Sequence, residues 1–391
     1  MKVAVLGGGI AGVAAAFELA RQGVRPTVYF EHSGSSGLYG GALDFEVWDR
    51  VTALAPVGED LARFAEAFGA WQLGSAALRV ATLEGNLRPA RGADRALLDL
   101  ERCAGKRVAV VDLERDDWDA PLLAASFAGS SWARQTQTHF YGARVRALQN
   151  GFERRISGYD FAALHDTEER SQALFLALRA SGVAPDAWLV GPWLGIERAL
   201  SSELSQALGV PVGETTSGLG GAAGARFERA RDRLLERDAV VQRARVTRLE
   251  RLERLDSGYR VTALEREPGE FSAVVLASGG VAAGGVALER SFERRGGTGF
   301  RLSFAAPVPL ELDHEVVEGV SSLSNVDFVA RGLGTLLEVG IAADTAGAVR
   351  DNPGLFAAGD ALAGRPRMAL EAARSGLNAA QRALDYLRRS A

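Results

Sequence analysis

The first residues in this chain whose types and spacing suit chemistry are glycines. Gly7, Gly9 and Gly12 stand in the pattern G-x-G-x-x-G with Ile10 and Ala11 inside it, and Glu31 follows about twenty residues later. The first glycine permits a tight turn, the second lets backbone approach a pyrophosphate, and the third lets a helix and a strand pack closely. A helix opened by such a turn offers free N–H groups and a partial positive charge to phosphates. A carboxylate at Glu31 would accept hydrogen bonds from the hydroxyls of an adenosine ribose. In a chain with 46 glycines the spacing alone is a weak signal, so its neighbours decide.

Those neighbours form a strand, a turn and a helix. Residues 2–6 (KVAVL) are a short apolar run, 13–22 are rich in alanine and leucine, Gly23 ends the helix, and 27–30 (TVYF) make a second strand with Glu31 at its end. This is half of a doubly wound nucleotide fold. Two later segments return to it: 271–277 (FSAVVLA) is a buried strand ending in Ser278-Gly279-Gly280, and 355–358 (LFAA) runs into Gly359-Asp360 ahead of a helical pattern over 368–389. Ahead of both, 60–68 reads as helix; then 106–113 as strand, 167–180 as helix, 187–190 as strand, 196–208 as helix and 210–212 as a short strand suggest a second α/β layer over about 95–235. Alternating runs over 239–255 and 258–267 read as a hairpin or meander. The expected fold is therefore α/β: a Rossmann-like, doubly wound domain from 1–50, 236–284 and 346–391, with an inserted α/β (α+β) domain from 51–235 and 285–345 capping the ligand.

Composition excludes several roles. A net charge of −4 provides no positive field for nucleic acid, and the arginines of 225–238 alternate with acids as on a solvated helix face. Cys103 is the sole cysteine, so this chain alone holds no disulfide and no cysteine-ligated iron–sulfur cluster. His32, His139, His165 and His314 lack metal-ligand spacing, and no metal is expected. The first twenty residues superficially resemble a secretory signal, but nucleotide-loop glycines interrupt the apolar run and a second strand follows directly. No uninterrupted apolar stretch of about eighteen residues suggests a span, and the expected compartment is the cytoplasm.

A strand leading into Gly359-Asp360 and then a long helix resembles the second fingerprint of FAD proteins of the glutathione-reductase and succinate-dehydrogenase type, and 277–280 (ASGG) resembles the glycine-rich crossing of that superfamily. The resemblance implies that Asp360 holds the flavin ribitol and that the last helix points its N-terminus at the isoalloxazine, stabilising negative charge on reduced flavin. A closer likeness lies in the N-terminal fingerprint together with 37–44 (GLYGGALD), 107–127 (RVAVVDLERDDWDAPLLAASF) and 274–290 (VVLASGGVAAGGVALER). These segments look like the B subunit of anaerobic glycerol-3-phosphate dehydrogenase. That likeness implies a flavoprotein carrying FMN, working with a catalytic FAD subunit and an iron–sulfur subunit to pass electrons to membrane quinone, peripheral to the inner membrane through its partners. The chain departs from that subunit in having Gly359-Asp360 where glycine-serine is usual, and 371–376 (EAARSG) in place of a glycine run. FMN has no adenosine ribose for Glu31 to hold, so the residues favour FAD and the resemblance favours FMN.

The expected cofactor set is Gly7, Gly9, Ile10, Ala11, Gly12, Glu31, Gly41, Gly279, Gly359 and Asp360. Candidates for the chemistry are Arg365 and Arg367, between Asp360 and the final helix, and His314 beside Asp313 and Glu315; the plainer readings are solvent-facing loop arginines and a surface pair. Residues 217–224 (SGLGGAAG) precede a helix and could mimic a second phosphate loop, but no acid context supports a nicotinamide site. The expected activity is a flavin-dependent oxidoreductase acting between a small-molecule substrate or partner flavoprotein and a quinone pathway. Its rivals are a stand-alone FAD dehydrogenase or oxidase and a non-catalytic flavin-binding subunit.

Overall fold

The computed structural model describes residues 2–44, 57–197, 199–242, 249–291, 297–312, 315–317 and 338–390. The chain divides into two compact units, one of residues 1–36 and 231–391, the other of 37–230.

The first unit is built on a five-stranded parallel sheet. Its strands are β1 (Val3–Leu6), β2 (Thr27–Tyr29), β3 (Val240–Gln242), β4 (Ala273–Leu276) and β5 (Leu355–Ala357), in the spatial order 3-2-1-4-5. Helix α1 (Ile10–Arg21) crosses from β1 to β2, and α2 (Ala369–Ser390) follows β5. The strands VAVL, AVVL and LFA are buried at every position, as helices and loops on both faces of a parallel sheet require. On α2 the buried residues Leu370, Ala373, Leu377, Ala380, Leu384 and Leu387 recur at helical spacing and leave arginines on the other side.

The hairpin or meander anticipated over 239–255 and 258–267 is present in its later part, and only its first residues pair elsewhere. Val240–Gln242 pairs with β2, and the antiparallel meander is Leu249–Leu255, Gly258–Ala263 and Gly269–Phe271. The stretch 285–345, assigned by sequence to the inserted domain, differs more. Its described residues fall in the first unit, where Val286, Phe300, Leu302, Leu310, Leu312 and Ile341 share an apolar core with Ala4, Leu6 and Val274. Burying those side chains against the sheet face outweighs the broken, proline-containing pattern that made them look peripheral.

The second unit holds a four-stranded parallel sheet in the order His139–Arg144, Arg107–Asp112, Ala187–Val190, Val212–Glu214. A three-stranded antiparallel sheet of Ala42–Leu43, Leu87–Asp94 and Trp71–Ala81 accompanies it. Helix starts are set by short polar side chains: Asp119, Ser130, Ser157 and Thr167 each accept a hydrogen bond from a first-turn N–H. The helix anticipated at 196–208 begins only at Ser201, because Asp166 accepts the N–H groups of Ile196 and Glu197 at 2.8 and 3.0 Å and holds them in a loop. Among the described residues no helix is long and apolar enough to cross a membrane.

Candidate functional site

In an open parallel sheet, ligands gather at the carboxyl ends of the strands. In the first unit three turns meet there: Gly7–Gly9 after β1, Ala277–Gly280 after β4, and Ala358–Asp360 after β5. They touch through glycines. A Cβ built on Gly7, at φ +132°, would lie 2.0 Å from the Ala277 carbonyl oxygen, and one on Gly280 would lie 2.6 Å from that of Asp360. A Cβ on Gly359 would fall 2.7 Å from the Cβ of Ala11 in the first turn of α1, and the Gly359 N–H donates to Ser375 Oγ at 2.8 Å. Gly279 is crowded by Ala283 at 2.5 Å. The segments singled out at opposite ends of the sequence are thus one structure.

Within the first turn the three glycines differ in role. Gly12 is a packing glycine, since a Cβ there would lie 2.0 Å from the Gly7 carbonyl oxygen. Gly9 caps α1 in extended conformation and makes no side-chain cap; its nearest neighbour is Ser36 Oγ, 3.0 Å from where a Cβ would sit. That hydroxyl accepts the N–H of Ile10 at 3.1 Å. Ser36 is therefore at the N-terminus of α1, a placement the sequence did not single out, because a serine in a Ser/Gly loop carries no periodic signal. Glu31 follows β2 after Phe30 and is exposed.

Asp360 is partly buried, and that burial pushes its carboxyl above the usual range while the nearby Arg367 pulls it back. Burial lowers the Arg367 guanidinium. Arg367 donates to the carbonyl of Asp360, to that of Leu362 at 2.9 Å and to that of Val339 at 2.9 Å, closing the turn that carries Asp360. Arg365 donates to the Thr345 carbonyl at 2.9 Å and is half-buried. Both arginines bind backbone, which fits a positioning role better than contact with a reacting group. His314 lies outside the described residues.

A dinucleotide fits these residues. Glycine at 7 and 12 lets the turn close against the carbonyls of Ala277 and Gly7, and Ser278 Oγ, buried beside it, has no hydrogen-bond partner among the described residues. Gly41 belongs to the second unit, where Leu97 and Ala223 would lie 2.7 and 3.1 Å from a Cβ. Local packing accounts for glycine there.

The second unit's sheet has its own topological switch point, between Arg107–Asp112 and Ala187–Val190. Protein side chains fill it. Trp118 donates to the Val111 carbonyl at 2.7 Å and packs edge-on against Trp193, centroids 5.2 Å apart. The buried Arg115 guanidinium lies 4.5 Å over Phe161, donates to the carbonyls of Glu153 and Ile156, and pairs with Asp117 at 2.8 Å. Nearer the edge strand, Arg226 pairs with Asp94 at 3.0 Å and with Glu214 at 2.6 Å, and all three are buried. Burial raises the Glu214 carboxyl, opposed chiefly by Arg226. Among the described residues no group of three or more His, Cys, Asp or Glu side chains is placed to hold a metal.

No family model and no curated protein sequence matches the chain. Among solved structures, the GidA-related protein from Thermus thermophilus aligns with 100% of this chain and 99% of its own at 11% identity and a TM-score of 0.33. An atypical thioredoxin reductase from Desulfovibrio vulgaris Hildenborough aligns with 99% of this chain and 98% of its own at 16% identity and a TM-score of 0.22. A thioredoxin reductase from Gloeobacter violaceus aligns with 99% and 94% at 14% identity and a TM-score of 0.22. Likenesses this distant assign no activity, and the site rests on its own residues.

Proposed function

We propose that the chain is a flavin-dependent oxidoreductase that binds FAD at the carboxyl edge of the first unit's sheet. The observation that carries this reading is the meeting of the Gly7–Gly12 turn with the Gly279-Gly280 and Gly359-Asp360 turns, because a nucleotide-loop glycine pattern alone does not require the C-terminal partners. In this reading the N-terminus of α1 holds the pyrophosphate, Glu31 the adenosine ribose, Asp360 the ribitol, and the start of α2 lies toward the flavin ring. The bound flavin supplies a two-electron acceptor and donor. The chain's own part is to fix that group: Arg367 holds the Asp360 turn by its backbone, and Ser375 fixes the Gly359 N–H.

The finer proposal is a subunit like the B subunit of anaerobic glycerol-3-phosphate dehydrogenase, receiving electrons from a substrate or partner flavin and passing them through an iron–sulfur partner to quinone. It is supported by the sequence segments that resemble that family and by a single cysteine, which leaves clusters to a partner. Quinone reduction that requires an iron–sulfur partner is the expected result, whereas direct oxygen turnover by the isolated chain would point to a stand-alone enzyme.

Chromatography of the flavin released from purified protein tests the cofactor. FAD is expected, and Glu31→Ala should weaken binding by about 1–3 kcal/mol, the scale for losing hydrogen bonds to a charged group. Release of FMN alone, with Glu31→Ala silent, would overturn the assignment of FAD.

A further inference from the structure

The glycine-rich segment before helix Ala222–Asp238 is not used by the flavin reading. It follows Val212–Glu214, the edge strand of the second unit's parallel sheet, so the order is strand, glycine turn, helix. The helix is 17 residues long. Its first intrahelical bond runs from the Ala225 N–H to the Gly221 carbonyl at 3.1 Å, and the Gly221 N–H is taken by the Gly218 carbonyl at 3.0 Å. The N–H groups of Ala222, Ala223 and Gly224 precede the helical ladder, and all three residues are buried.

A second observation bears on the same place. Ser217 is 8% exposed, and its buried Oγ has no hydrogen-bond partner among the described residues. Its position at the helix start is set by Gly221, where a Cβ would fall 2.8 Å from Ser217 Cβ and 3.0 Å from Ser217 Oγ. Glycine at 221 keeps this space open. The Ser217 backbone N–H is fixed by the Gly40 carbonyl at 2.8 Å, which leaves the hydroxyl as its free donor. A buried hydroxyl beside a helix start without a protein partner leaves hydrogen-bonding capacity that folding normally satisfies.

We propose that the Ser217–Gly221 turn and the first turn of the following helix form an anion subsite that takes a phosphate-bearing small molecule. The Ser217 hydroxyl and the N–H groups of the helix start are its donors, and the helix end supplies the positive potential. Arg226 lies further along the helix with its charge already held by Asp94 and Glu214, so recognition is by hydrogen bonds to the turn. Access is local: Gly218, Leu219 and Gly220 are exposed, Gly220 has φ +68°, and the glycine-rich tip can shift without disturbing the buried strand beneath it.

Calorimetric titration with inorganic phosphate at constant ionic strength, on flavin-loaded full-length protein, tests this. Saturable binding is expected, weakened about tenfold in Ser217→Ala, the usual loss for a hydrogen bond to a charged group. Gly221→Ala should weaken it further by crowding Ser217. Absence of saturable binding in the wild type would overturn the proposal. So would Ser217→Ala with unchanged affinity.

Discussion

Gly376 of α2 and Ala11 of α1 approach so closely that a Cβ on Gly376 would lie 2.2 Å from the Ala11 carbonyl oxygen. Ala11 also meets Gly359, so one residue of the nucleotide turn is gripped by both C-terminal features of the fold. In an ordinary helix interior, replacing glycine with alanine stabilises by about 1 kcal/mol. Here the sign should reverse. Gly376→Ala is expected to destabilise the protein by about 1–3 kcal/mol through overpacking, read as a lower urea midpoint. A more stable variant would remove the close helix contact.

Gly12 and Gly9 should separate folding from binding. Gly12→Ala puts a methyl group against the Gly7 carbonyl and is expected to lower the thermal midpoint whether or not flavin is present. Gly9→Val meets chiefly the Ser36 side chain, which can give way, so the protein should fold and lose flavin because backbone can no longer approach the pyrophosphate. Normal flavin occupancy in folded Gly9→Val would take this turn out of the site.

Asp360 carries a conflict between stability and function. Its carboxyl is raised by burial, so the folded state holds the proton more tightly than the unfolded state, and stability is lost as pH rises through the raised value. Asp360→Asn removes that loss. The variant should unfold at higher urea than the wild type near neutral pH, with the gap closing on acidification, while its flavin affinity falls. Unchanged flavin content in Asp360→Asn would show that the aspartate does not hold the ribitol.

Removing Arg226 should be severe. Arg226→Met leaves Asp94 and Glu214 buried without their cation, at an expected cost of about 3–5 kcal/mol near neutral pH. Glu214, already raised by burial, then loses the charge that lowers it, so it binds a proton more readily in the folded state and the deficit shrinks as pH falls. Urea unfolding at about pH 7.5 and about pH 5 measures this. A deficit independent of pH would mean that the carboxylates are not what Arg226 compensates.

The sequence by itself determined what is local along the chain. Residues 2–31 form strand, turn, helix and strand consecutively, so their apolar pattern and glycine spacing are readable without distant contacts, and the same holds for the strand into Gly359-Asp360. The α/β character of 106–212 was legible for the same reason, including the helix that Thr167 proves to cap. The tertiary structure decided what depends on residues far apart. Val240–Gln242 became a sheet strand because β2 offers a parallel edge, and Ser201 became a helix start because Asp166 binds the backbone before it. Ser36 reaches the N-terminus of α1 through a loop with no period, and Phe300, Leu310 and Ile341 join the first unit's core despite a broken pattern. Gly376 is glycine because of a helix over three hundred residues earlier in the chain. Close packing is a relation between surfaces, and a one-dimensional pattern shows a residue's propensity without showing the atom it will meet.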